Sequence, residues 1–501
     1  MKIFTTSQIR EIDKYTIDHE PIASIDLMER AADALFGRIV HSISSHKRII
    51  VFCGPGNNGG DGLALARMMH YAGYNIEVYY LQASNYSADF LINLDRIKKT
   101  SIFLRVISAD SDFPKTGSDS IIVDALYGSG LARPLDGVAD ELVKYLNASD
   151  AKVISIDIPS GLFGDINPYP NPNSVIEADI CLTLQFPKKS FFFPENERFF
   201  KQWIVLPIGL HPKTIENTAT PFYYMGIEEI KGIIVPRKTF SHKGTYGHSL
   251  IVAGSMGMMG AASLCTLSAV KSGSGLVTMH IPKCGYTIAQ QIVPMAMCRV
   301  DADEYIVKSV PDIDKFNSIC IGPGLGTNPL TVKALKDLIT RVKVPLLLDA
   351  DALNIISESK ELLSALPMNT IITPHPGEFD RLFGKSSCGA ERMEKAIDAA
   401  KKFKLIIVLK GAYTQIINSD GSVSFNSTGN AGMATGGSGD VLSGIITGLL
   451  AQGYSPINSA QLGVFLHGLA GDIAEKKLGQ CSLSAENIIE SLPLAFKCVL
   501  E

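Results

Sequence analysis

The sequence predicts an α/β chain made of two α/β domains of different design, each built on a parallel sheet covered by helices on both faces. Three observations predict it. At 501 residues the chain is too long for one ordinary domain. Short β-branched runs alternate with stretches of helical spacing along most of it, the pattern of strands buried on both faces. That alternation breaks between about Leu210 and Gly232, where His211-Pro212, Pro221 and a small charge cluster intervene. Two domains, residues 1–212 and 231–501, are expected, joined by a linker over 213–230.

From about Thr5 to Ser42 apolar residues recur at helical spacing among charges (Ile9, Ile12, Ile17, then Leu27, Met28, Ala31, Leu35), which predicts helix. Strands are expected at Arg48 to Phe52, Ile76 to Leu81, Ser120 to Val123, Val153 to Ile158 and Ile180 to Leu184, with helices at Leu63 to Tyr71 and Val138 to Leu146. Gly54, Asp124 and Asp157 fall at strand ends, where open α/β sheets bind ligands. A second alternation follows, with strands at His248 to Ala253, Ser318 to Ile321, Pro345 to Leu348, Thr370 to Ile372 and Leu405 to Leu409. It closes on helices at Val441 to Ala451 and Ala460 to Glu475.

Composition narrows the function. The chain is 46% hydrophobic and 19% charged, with a net charge of −4, which leaves no basic footprint for nucleic acid or an anionic membrane. Nine cysteines are scattered without a CxxC pair, so they read as free thiols rather than a zinc site or a disulfide framework. No apolar leader lies between Met1 and Glu11, and no apolar run is long enough to span a bilayer. A cytoplasmic protein is expected.

The densest signal is Gly429-Asn430-Ala431-Gly432-Met433-Ala434-Thr435-Gly436-Gly437-Ser438-Gly439-Asp440, running into an apolar helix. A glycine loop at a helix start gathers unpaired backbone N–H groups and the positive end of the helix dipole, an anion site suited to phosphate. Asp440 adds an acceptor for a hydroxyl proton, so the loop predicts phosphoryl transfer. Lys410 closes an apolar strand and opens Lys410-Gly411-Ala412-Tyr413-Thr414, placing an ammonium and a hydroxyl where nucleotide phosphates would lie. Other glycine-rich corners are His242-Lys243-Gly244, Ala253-Gly254-Ser255, Gly322 to Gly326 and Thr373 to Glu378. In the last of these His375 stands between two prolines and reads equally as a ligand contact or a cap.

In the first half the strand before Gly54 opens into Gly54-Pro55-Gly56-Asn57-Asn58-Gly59-Gly60-Asp61-Gly62, expected as a loop before the helix. Its GxGxxG spacing alone is weak evidence for a dinucleotide. Asn57 and Asn58 read either as turn residues or as amide ligands. Asp124 leads into Gly128-Ser129-Gly130-Leu131-Ala132-Arg133-Pro134, and Asp157 into Pro159-Ser160-Gly161. Either aspartate alone reads as an N-cap. Three polar strand ends at one sheet edge suggest oxygen coordination of a cation, with a carboxylate left for proton transfer.

These motifs carry resemblances. Cys53 to Gly62, Asp124 to Pro134, Asp157 to Leu162 and Phe186-Pro187-Lys188 resemble the NAD(P)H-hydrate epimerase domain over about residues 1–212. The resemblance implies a Rossmann-like three-layer sandwich and potassium bound by Asn58, Asp124 and Ser160. It implies substrate contacts from Asn57, Asn58, Gly59, Gly60 and Asp61, from the Gly128 to Pro134 loop, and from Asp157, which is also the expected proton-transfer group. His242-Lys243-Gly244, Gly322 to Gly326, Asp349 to Asn354, Thr373 to Glu378, Lys410-Gly411-Ala412 and Asn430 to Asp440 resemble the ADP-dependent NAD(P)H-hydrate dehydratase, a ribokinase-like α/β family, over 231–501. Ala431 and Ser438 stand where that family usually shows proline and threonine.

That second resemblance implies nucleotide contacts from Lys410, Gly411, Ala412, Tyr413, Thr414, Gly436, Gly437, Ser438 and Gly439. The hydrated substrate is then expected against Ala253, Gly326, His375 and Asp440, with Asp440 as the base, ADP as co-substrate, and magnesium with Glu378 as an outer ligand. Together the two imply a bifunctional enzyme, an isomerase and a lyase, that epimerises hydrated NADH and NADPH at C6 and dehydrates the S epimer, and they suggest a homo-oligomer. The residues themselves do not separate ADP from ATP. The glycine loop and Asp440 also fit a vitamin-precursor kinase of the ribokinase superfamily with a non-catalytic first domain.

Overall fold

The computed structural model describes residues 1–40, 43–44 and 46–501; His41 and Ser42, the end of the first expected helical stretch, lie outside them. The chain divides into two compact units, residues 2–220 with 388–390, and residues 1, 221–387 and 391–501.

In the first unit a two-residue strand, β1 (Lys2–Ile3), precedes helices Thr6–His19 and Ser24–Val40. Its sheet contains β2 (Arg48–Cys53), β3 (Asn75–Leu81), β4 (Phe103–Ile107), β5 (Ser120–Ala125), β6 (Lys152–Ile156), β7 (Ile180–Leu184) and β8 (Trp203–Leu206). The seven strands lie in the order β4-β3-β2-β5-β6-β7-β8, and every pairing is parallel. Alternate residues of β2 serve opposite cores. Ile49, Val51 and Cys53 join Leu63 and Phe90 on one side, while Ile50 and Phe52 join Leu142 and Val143 on the other. That alternation makes three layers. The strand order reverses between β2 and β5, so their carboxyl ends flank the crevice where such sheets take ligands.

The second unit contains β9 (Phe222–Met225), β10 (His248–Val252), β11 (Leu276–Ile281), β12 (Met297–Val300), β13 (Ser318–Ile321), β14 (Leu346–Leu348), β15 (Ile371–Ile372), β16 (Ile406–Leu409), β17 (Gln415–Ile417) and β18 (Val423–Asn426). These run in the order β9-β18-β17-β16-β15-β14-β13-β10-β11-β12. The pairings are parallel except β16–β17 and β17–β18. A reversal between β10 and β13 opens this sheet's crevice. Helices Met259–Lys271, Ser438–Ala451, Pro456–Leu478 and Ala485–Leu500 cover one face and share one core with Ile251, Cys320 and Val408.

Segment 213–230, expected as a linker, carries helix residues to Asn217 and strand β9, which pairs in parallel with β18. The half-exposed edge strands β4, β8 and β12 lack a continuous buried run and were not expected from the sequence, and neither were the buried interior strands β11, β17 and β18.

Candidate active sites

One expectation in the first unit is corrected by the backbone. Helix begins at Asn57 and runs to Tyr71, so Asn57 through Asp61 form its first turns rather than a loop. Extended Gly56 holds the N-cap position without a side-chain cap, which leaves the leading N–H groups of the helix for a ligand. Asp124 lies at the end of β5, as expected, one residue before its last. Gly54 is required at the entry because a Cβ there would sit 1.6 Å from the Leu126 carbonyl oxygen.

Asp124, Asp157 and Ser160 are buried around this crevice. Ser160 Oγ and N donate to Asp124 at 2.5 and 2.9 Å, Ser155 Oγ donates at 2.7 Å, and Tyr127 N donates to Ser160 Oγ at 2.8 Å. Burial raises the Asp124 carboxyl, against these hydrogen bonds. Asp157 follows β6 with φ 67°, a strained value for a non-glycine residue, and accepts from Ser129 N at 3.0 Å. Lys188, buried after β7, places Nζ 2.6 Å from Asp157 Oδ1. Burial pushes Asp157 up, but the lysine ammonium and these hydrogen bonds outweigh it and hold the carboxyl below its ordinary value.

Gly128 joins the set. A Cβ there would lie 3.2 Å from both Asn58 Cβ and Asp157 Oδ2. The Asn58 amide nitrogen is buried without a hydrogen-bond partner among the described residues, as a group awaiting a ligand would be. Asp61 is pushed well above the usual carboxylate range by burial and by Asp157, Asp13 and Asp89. In the following loop Gly130, Ala132, Arg133 and Pro134 are exposed, and Leu131 is half-buried.

In the second unit, Gly437 (φ 89°) turns the chain into helix Ser438–Ala451, which carries no side-chain cap. Gly436, Gly437, Ser438 and Gly439 therefore present the start of an uncapped helix, with Asp440 in its first turn. Lys410 leaves the end of β16, and a Cβ at Gly439 would come within 3.3 Å of its Nζ. Lys410 Nζ lies 3.0 Å from Asp349 Oδ1 and 3.8 Å from Glu378 Oε2. Asp349 Oδ2 accepts from Ser443 Oγ at 2.7 Å, tying the lysine to that helix. Burial alone would lower Lys410, yet Asp349, Glu378 and Asp440 keep it above its ordinary value and cationic. Burial, reinforced by Asp349, raises Asp440 to about 7 despite Lys410.

Gly411 and Ala412 are exposed beside this lysine, and Tyr413 and Thr414 are half-buried. Tyr413 has φ 51°, and Thr414 Oγ1 donates to the Gly411 carbonyl at 2.8 Å. Ala253 and Gly326 lie at the carboxyl ends of the paired strands β10 and β13, where Gly326 N donates to Asp351 Oδ2 at 2.8 Å. His375 is the N-cap of helix Pro376–Phe383, its Nδ1 accepting from Gly377 N. Its exposed Nε2 is 3.6 Å from Glu378 Oε1. Through Glu378, Lys410 and Asp349 the structure brings His375 and Asp440 to one carboxylate-rich crevice.

Asp13, Lys188 and Asp349 went unassigned in the sequence. Asp349 directly follows β14, so the strand-end logic applied to Asp124 would have found it, whereas Lys188 lies beyond the end of β7 and gave no strand-end signal. Asp13 gave no such signal, because a charge on an amphipathic helix reads as its solvent face.

Residues 249–494 match the NAD(P)H-hydrate dehydratase family, and residues 24–190 match the family described as YjeF-related protein N-terminus. A bifunctional NAD(P)H-hydrate repair enzyme of Thermofilum pendens is 34% identical over 100% of this chain and 97% of its own. One of Moorella thermoacetica is 33% identical over 99% and 97%. The chain belongs to the family of bifunctional NAD(P)H-hydrate repair enzymes. In keeping with membership of that family, a ribokinase-like superfamily protein of Enterococcus faecalis superposes with a TM-score of 0.51 at 27% identity, covering 56% of this chain and 98% of that one. The ribokinase-like fold expected of the second unit is thus present. Among the described residues no helix is long and apolar enough to cross a membrane.

Proposed function

We propose that this repair enzyme epimerises hydrated NADH and NADPH at C6 in its first unit and dehydrates the S epimer in its second, converting ADP to AMP and phosphate. One observation carries the second reaction: Asp440, Lys410 and the uncapped start of helix Ser438–Ala451 meet at one point. Hydroxide is a poor leaving group at neutral pH, and phosphate is a good one. Asp440, raised to about 7, takes the proton of the C6 hydroxyl as its oxygen attacks the terminal phosphate of ADP. Lys410 and the N–H groups of Gly436 to Gly439 receive the charge on the transferring phosphoryl group. Phosphate then leaves C6, assisted by the ring nitrogen lone pair, and takes a proton from C5 as the C5–C6 double bond of the dihydronicotinamide forms.

Magnesium fits this crevice as an ion held chiefly by the nucleotide. Among the described residues no three His, Cys, Asp or Glu side chains form a preformed cage, whereas carboxylates line the site, and magnesium ordinarily uses one or two of them with phosphates and waters. It would neutralise phosphate charge. Glu378 is a weaker partner than expected, because Oε2 accepts from His375 N at 2.7 Å and faces Lys410. In the first unit potassium fits the oxygens of Asn58, Asp124 and Ser160, and would fix the Tyr127 to Pro134 loop against the substrate. Asp157 is the proton acceptor there. The reading includes a cytoplasmic homo-oligomer with no nucleic-acid or membrane partner.

The test supplies pure S epimer with ADP and magnesium. One AMP and one phosphate per recovered NADH are expected. AMP with an accumulating phosphorylated product and no NADH would assign the second unit to the small-molecule kinases instead.

A further inference from the structure

Helix Thr6–His19 precedes the stretch that matches the first family, which begins at residue 24, and no role attaches to it so far. Its start is fixed by a capping box, Thr5 Oγ1 accepting from Gln8 N and Gln8 Oε1 from Thr5 N. Thr6, Arg10 and Asp13, spaced by four and three, share one face. That face lies along the substrate loop of the first unit. Arg10 Nη2 donates to the Gly130 carbonyl at 3.0 Å, and Thr6 N donates to Asp165 Oδ2 at 3.3 Å. A Cβ on Gly164 would touch both Thr6 Oγ1, at 2.9 Å, and Ser129 Cβ, at 3.5 Å. One turn beyond Arg10, the Asp13 carboxyl enters the charge field of Asp157, Lys188 and Asp61.

We propose that Asp13 is the second proton-transfer group of the epimerase site, paired with Asp157 across the substrate. The inference rests on the epimerase reading of this unit and names a residue that reading lacks. Inverting a carbon bonded to both a hydroxyl and the ring nitrogen needs a base and an acid in one turnover. Asp157 takes the hydroxyl proton, the C–O bond becomes C=O, and the C6–N1 bond breaks with its electron pair going to N1. Asp13 gives N1 its proton. After rotation about C5–C6, N1 adds to the other carbonyl face, returning its proton to Asp13 while Asp157 returns the other to oxygen. The two carboxyls suit these opposite tasks. Lys188 keeps Asp157 ionised, whereas burial and the Asp157 charge, against Lys188, raise Asp13 to about 6.

The experiment follows consumption of pure R epimer by the full-length protein with ADP, magnesium and potassium, compared with dehydration of pure S epimer by the same sample. In Asp13→Asn, kcat for epimerisation should fall on the order of 10²-fold with KM within about threefold, while dehydration is retained. Asp13→Glu should recover part of the loss. A wild-type kcat in Asp13→Asn, or a change confined to KM, would overturn the proposal. So would an equal loss in Asp13→Glu with normal stability by Trp203 fluorescence. A wild-type protein that fails to consume R epimer would instead overturn the underlying reading.

Discussion

At the scale of single residues, two carboxylates are tuned in opposite directions by their surroundings. Asp440 sits above its ordinary 3.8, at about 7, so the base form accumulates only as the pH rises through neutrality. Dehydration should rise with pH to a plateau above 7, and Asp440→Asn should lower kcat by roughly 10²–10⁴-fold. The stability sign is opposite. A carboxyl raised by folding contributes fully below its unfolded value and loses that contribution as pH climbs through the folded one. Asp440→Asn should therefore gain thermal stability over wild type between about pH 4 and 8, read by Tm across that range, and a gain that shrinks with pH would contradict the assignment. Asp157 is held down by buried Lys188, so Lys188→Met should cost about 3–5 kcal/mol by stranding a buried carboxylate. Trp203, the chain's one tryptophan, lies in this unit, and its fluorescence in urea measures the loss.

Elements explain why these residues are held in place. Helix Ser438–Ala451 approaches Met259–Lys271 at Gly444, where a Cβ would meet the Cys265 carbonyl oxygen at 2.0 Å. Gly444→Ala should force the two helices apart, cost roughly 1–3 kcal/mol, and weaken the stabilisation that ADP confers on the second unit. Equal ADP-induced Tm shifts in variant and wild type would show that the anion loop does not depend on this packing. Such contacts also mark how far the sequence could be read. The glycine loop before Asp440 and the strand-end Asp157 announce themselves locally, because each breaks an apolar run where the chain changes direction. Lys188 became legible only beside Asp157, 31 residues away in the chain. The helix start at Asn57 was hidden by four glycines within Gly56 to Gly62, which read as loop although burial of Leu63, Leu65 and Ala66 holds them helical.

Across the whole molecule, each site is assembled from residues of its own unit, and each lies at the carboxyl ends of its sheet's strands. The two activities should therefore separate by single substitutions. Asp157→Ala should abolish epimerisation and leave S-epimer dehydration within about twofold, and Asp440→Asn should do the reverse, as expected for residues without shared partners. The most direct measurement is recovery of the near-ultraviolet absorbance of reduced nicotinamide from mixed epimers of hydrated NADH, with ADP, magnesium and potassium. Wild type should recover all of it, dependent on ADP, while Asp157→Ala stops at the share of the S epimer plus spontaneous epimerisation. Complete recovery by Asp157→Ala at the wild-type rate, or none by wild type, would contradict the account.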